Sequence, residues 1–114
     1  MRIELDIFSG RPNPAWELGT SEVETIDAVL AGLPEPVPTS QPAHEPLGYR
    51  GFRIIAPEKG WTLTVHGTTV EIRSADGGGT ATDAHARLEQ ALVEIARAHL
   101  EPDIYEFLQS QLHP

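Results

Sequence analysis

Trp61-Thr62-Leu63-Thr64-Val65-His66-Gly67-Thr68-Thr69-Val70-Glu71-Ile72-Arg73 is the stretch that decides the fold. Residues 61–66 and 68–73 each alternate with a period of two, and His66-Gly67-Thr68 lies where a hairpin would turn. Trp61, Leu63 and Val65 fall on one face with Val70 and Ile72 across the pair. Thr62, Thr64, Thr69, Glu71 and Arg73 fall on the other. One apolar face and one polar face is the pattern of an antiparallel sheet covered on one side only.

Other strands join it. Residues 2–8 alternate Ile3, Leu5 and Ile7 against Arg2, Glu4 and Asp6, a half-buried strand. Residues 51–56, around Phe52, Ile54 and Ile55, supply another. Between them, Val23, Ile26, Leu30 and Leu33 recur at helical spacing. That helix is expected to start near Thr20 or Ser21, with Ser21 and Glu24 as a capping box, and to end at Gly32 and Pro34. Pro34, Pro36, Pro38, Pro42 and Pro46 make residues 34–48 an extended, proline-rich excursion, read as a spacer. Residues 74–82, centred on Gly77-Gly78-Gly79, read as a flexible loop. Asp83 would cap a long helix over 83–100, with Leu88, Leu92, Ile95 and His99 along one stripe. Pro102 opens a last helix with Ile104, Tyr105, Leu108 and Leu112 inward. The expectation is a single α+β domain, with about four mostly antiparallel strands and the helices on one face, in the order β-α-β-β-β-α-α.

Composition narrows the function. The 114 residues carry a net charge of −9, and Lys59 is the only lysine. Such a surface repels phosphate backbones and anionic membranes, so neither nucleic acid nor membrane is expected as a partner. The absence of cysteine removes disulfides, thiolate catalysis and cysteine-type zinc sites. Met1-Arg2-Ile3-Glu4-Leu5-Asp6 alternates rather than forming an apolar run, which fits no signal peptide, and a cytoplasmic location is the expectation.

The most specific segment is Phe8-Ser9-Gly10-Arg11-Pro12-Asn13-Pro14-Ala15-Trp16. A plain strand-to-helix connector needs only a few polar residues. Here two prolines hold Arg11 and Asn13 in extended shapes, and Trp16, expected to be largely buried, anchors the end. The functional reading gives Arg11 and Asn13 an anionic or amide-bearing group to bind, a carboxylate in the guanidinium fork for instance. The structural alternative pairs Arg11 with Asp6 or Glu17 and turns Asn13 onto its own loop. Tyr49 and Arg50, within Gly48-Tyr49-Arg50-Gly51-Phe52, make a similar mixture that would join a pocket if it lay at the same sheet end. Asp6 and His66, on the polar sheet face with Glu4, Arg53, Glu71 and Arg73, are candidate acid–base groups. An ordinary solvated face with cross-strand charge pairs is the competing explanation. No metal-ligand spacing is present and no cofactor is called for. Asp76-Gly77-Gly78-Gly79 lacks the lysine of a phosphate-binding loop and the ligand pattern of a calcium loop.

The string from Leu5 to Trp16 resembles the opening of a group of small, uncharacterised bacterial proteins, with residues 48–52 as a second block. The resemblance implies no activity and transfers no site. The residues thus lead to a small binding or accessory protein that recognises a peptide, a protein or a small polar ligand through loop 9–16. The alternative is a small enzyme using Asp6 or His66 as acid–base with Arg11 holding a substrate anion. A third reading is an assembly role, two copies pairing through an edge strand.

Overall fold

A computed structural model describes residues 1–8, 12–38 and 49–112. The chain runs β1 (Arg2–Leu5), β2 (Ala15–Glu17), α1 (Thr20–Ala31), β3 (Phe52–Ala56), a 3-10 turn (Pro57–Lys59), β4 (Trp61–His66), β5 (Thr69–Ser74), β6 (Gly77–Thr82), α2 (Arg87–His99) and α3 (Pro102–Leu112). The strands form one antiparallel sheet in the order β2-β1-β3-β4-β5-β6. The α+β class and the 61–73 hairpin stand as expected. The strand number does not: among the described residues the sheet has six strands rather than about four.

The two additional strands have different causes. β2 holds only three residues, with Trp16 paired to Ile3, so it is too short to show alternation. β6 occupies the stretch read as a glycine loop. Its triple glycine hides any side-chain period, yet Ile72 pairs with Gly79 and Val70 with Ala81. Gly79 is buried because Pro36 and Val37 lie where its Cβ would stand. Val37 and Thr80 exchange both backbone hydrogen bonds at 2.8 Å. The start of the proline-rich tract therefore pairs with the outer edge of β6 instead of acting as a spacer. Residues 39–48 of that tract lie outside the described residues.

Register explains the one-sided core. Ile3, Ile54, Leu63, Ile72 and Gly79 form one row across the sheet, and Leu5, Phe52, Val65, Val70 and Ala81 form the next. These rows face Ile26 of α1, Leu88, Leu92 and Ala96 of α2, and Leu108 of α3. The neighbouring row, Glu4, Arg53, Thr64, Glu71 and Thr80, is half-buried on the open face. Glu4 and Arg53 are ion-paired there at 3.1 Å. No helix among the described residues is long and apolar enough to cross a membrane.

Helix ends differ from expectation in detail. At α1 the Glu22 carboxylate, not Glu24, accepts the free amide of Gly19 at 2.9 Å. α2 begins at Arg87, later than residue 83. Asp83 still serves its start, because its Oδ2 accepts the Leu88 amide at 2.8 Å while the chain makes one further turn.

Gly51, just before β3, has φ +104°, and a Cβ there would collide with the carbonyl oxygen of Val65. Gly60 has φ +76° with nothing near its missing Cβ. Gly51→Ala is expected to cost more than the roughly 1–3 kcal/mol of backbone strain alone, and Gly60→Ala to stay within that range. Urea melts of the two variants that rank them the other way would contradict this register at β3 and β4.

Candidate functional site

The residues flanking the loop meet at one end of the sheet, beyond Leu5 and Phe52. The amide of Asp6 donates to the carbonyl of Gly51 at 2.9 Å, and the amide of Arg50 donates to the carbonyl of Asp6 at 2.8 Å. This backbone exchange sets the two side chains together. Asp6 Oδ1 accepts Arg50 Nε at 3.0 Å, Arg50 Nη2 at 2.8 Å and Asn13 Nδ2 at 3.2 Å. Arg50 Nη2 also donates to the Phe8 carbonyl at 3.2 Å. Asn13 uses its other end as well: Oδ1 accepts the amides of Ile7 at 3.0 Å and Phe8 at 2.8 Å. Pro14 lends its carbonyl to the Leu5 amide at 2.9 Å.

Charge-assisted hydrogen bonds are about twice as strong as neutral ones, and here three converge on one oxygen. Both ends of the loop are tied to the sheet, the descending end through Asn13 and Pro14 and the ascending end through Asp6 and Phe8. Asp6 and Arg50 are each about three-quarters covered, with side-chain exposures of 21% and 27%. Water therefore screens their pairing less than it would a surface bridge. Arg11, with Ser9 and Gly10, lies outside the described residues.

Tyr49 lies behind this network, buried on the helix side. Its ring packs edge-on against Phe52, and its hydroxyl donates to Glu89 Oε2 at 2.7 Å. The same oxygen accepts the amide of Gly67 in the hairpin turn at 2.7 Å. Burial first, then the hydrogen bond and the charge of Glu89, push the Tyr49 phenol far above its usual value of 10. His66 is exposed, with its ring 5.3 Å from that of Tyr49. Glu89 is the member of this cluster that sequence reasoning missed, and nothing in its spacing marks it. It joins residues 22 and 40 positions away only once the hairpin packs on α2.

Trp16 stands apart from the network. It is half-buried rather than largely buried, because β2 is the edge strand and only one side of its indole is covered. That side stacks on His99, with centroids 5.3 Å apart and 7° between planes. His99 Nε2 lies 3.0 Å from Glu22 Oε2. The Gly19 amide most of all, and His99 after it, hold the Glu22 carboxyl below its usual range against the opposing effect of burial. Indole Nε1 of Trp16 is itself buried with no hydrogen-bond partner among the described residues. His99, on the edge of its apolar stripe, is thus engaged by Trp16 and Glu22 although exposed.

The structure therefore brings Asp6, Asn13 and Arg50 into one network, places Tyr49 and His66 beside it, and leaves Trp16 as a clamp between β2 and α2. Hollows lined by described residues lie at the other end of the sheet, around Trp61 and Ser74. No group of three or more histidine, aspartate or glutamate side chains among the described residues is placed to hold a metal.

Two outcomes follow from these contacts. Asn13→Ala leaves the Ile7 and Phe8 amides without their acceptor and should cost about 1–3 kcal/mol in denaturant melts. A variant as stable as the parent would show that the carboxamide is not a strut. Tyr49 titrates higher in the folded protein than in the unfolded chain, so its stabilising effect is complete below pH 10. That effect is lost as pH rises beyond 10 toward the folded value. Stability measured across the alkaline range should fall less steeply in Tyr49→Phe than in the parent. Equal slopes would contradict the buried Tyr49–Glu89 contact.

Among known proteins, no family model, no curated protein and no solved structure matches this chain.

Proposed function

We propose that this chain is a small binding or accessory protein, and that it recognises a peptide, another protein or a small polar ligand through loop 9–16. The observation that carries the reading is the tethering of the loop at both ends by Asp6, Asn13 and Arg50. A loop held in one shape before binding loses little freedom on binding, so more of its contact energy appears as affinity. In this reading Asp6, Asn13 and Arg50 are the frame and not the reading surface. Pro12 and Ala15 are exposed beside the frame, and Arg11 supplies the guanidinium for an anionic group of the partner. With Oδ1 held by three donors, Asp6 is set as a structural anchor with its charge already matched by Arg50, and this favours recognition over acid–base work.

The two roles separate by mutation. Arg11→Ala should leave the melting temperature within a few degrees of the parent, as for a surface substitution. It should remove capture of the partner, measured by cross-linking in extract of the source cell with mass spectrometric identification. Arg97→Ala, at an exposed position of α2 that makes no contact with the Asp6–Asn13–Arg50 network, is the control and should retain capture. A partner retained equally by Arg11→Ala and Arg97→Ala would refute recognition through this loop.

A further inference from the structure

The far end of the sheet carries a second, unrelated feature. In an acidic chain a cation is expected to find a carboxylate, and four of the seven described lysine and arginine side chains do. Arg50 meets Asp6, Arg53 meets Glu4, Lys59 meets Asp27 and Arg97 meets Glu94. Arg2, Arg73 and Arg87 have no hydrogen bond or ion pair among the described residues, and of these Arg73, exposed near the end of β5, is the one that borders a hollow. Its cross-strand neighbours explain why it is unpaired: Thr62 on β4 carries no charge and Gly78 on β6 has no side chain. The missing Cβ of Gly78 would stand 3.8 Å from Arg73 Cγ, so this flank of the arginine stem is left open.

The free guanidinium borders a hollow of about 380 Å³, within the range of small-molecule pockets, roughly 300–1,000 Å³. Ile55 and Pro57 form its apolar wall, and Thr62 adds a hydroxyl. The wall is set by the fold. Ile55 is held in register with Thr62, and the turn at Pro57–Lys59 brings the chain back into Trp61. Ile55 is half-buried, so it offers an uncovered apolar surface to the hollow.

We infer that this hollow binds a small organic carboxylate with an apolar body, the carboxylate in the Arg73 fork and the body against Ile55 and Pro57. A guanidinium matches a carboxylate through two parallel N–H bonds, and the branched Ile55 side chain with the Pro57 ring suits a small apolar body. The same chemistry is offered by a free acid and by the last residue of a peptide ending in an apolar side chain. The site lies at the opposite end of the sheet from Asp6 and Arg50 and does not depend on how loop 9–16 functions.

Two-dimensional ¹H–¹⁵N spectra of the full chain test it. The probes are phenylacetate for the free acid, N-acetyl-alanyl-phenylalanine for the peptide end, and the C-terminal amide of that peptide as the uncharged control. A carboxylate probe should shift the Ile55, Thr62 and Arg73 resonances with a Kd of about 0.1–10 mM, as suits one charged fork and a half-open wall. Which of the two carboxylates binds more tightly distinguishes the free acid from the peptide end. The amide, and either acid with Arg73→Gln, should bind at least about tenfold more weakly. Arg73→Lys should recover part of the affinity, because it restores charge without the fork. The inference is overturned if the amide binds as well as the acid, if Arg73→Gln binds like the parent, if the shifts fall elsewhere, or if neither acid binds.

Discussion

Two adjacent rows of side chains hold this molecule together: Ile3, Ile54, Leu63 and Ile72, and beside them Leu5, Phe52, Val65, Val70 and Ala81. Each crosses the sheet at one level, and together they give the three helices a continuous apolar floor. Side chains alternate strictly along a strand, so a slip of one residue at any pairing would turn that strand's apolar set to water. Every other feature follows from this register. It places Asp6 opposite Gly51, Arg73 opposite Thr62 and Gly78, and His66 beside Tyr49.

At one end of these rows the register produces a frame. Asp6 and Arg50 are 44 residues apart in the chain, yet the backbone exchange between residue 6 and residues 50 and 51 sets their side chains in contact. Asn13 then closes the loop by accepting two amides and donating to the same carboxylate. Prolines on either side of Asn13 reduce the freedom the loop would lose on closing. At the other end the strands stop at Trp61 and Ser74, and the register leaves a glycine beside an arginine.

Much of this was legible in the sequence wherever a period was present. The hairpin 61–73, the first strand and the three helices all carry one, and all are found. β6 was hidden because glycine has no side chain to alternate, and its place in the sheet comes from the Val37 pairing and from space that a larger residue would lack. β2 was hidden because three residues between proline and helix carry too little pattern. The importance of Asn13 was legible in its setting between two prolines, but the partners of its carboxamide were not. Joining it to Arg50 requires the β1–β3 pairing, which local pattern does not specify. Glu89 was silent for the same reason.

The central claim is that the Asp6–Arg50–Asn13 network holds the loop rather than the sheet. Native-state amide hydrogen exchange at Ile7 and Phe8, whose amides Asn13 accepts, tests it directly when the parent is compared with Arg50→Gln. The account predicts that both amides exchange slowly in the parent and fast in the variant, while Ile54 and Leu63 in the sheet centre remain protected in both. Rapid exchange of Ile7 and Phe8 in the parent, or protection unchanged by Arg50→Gln, would contradict it.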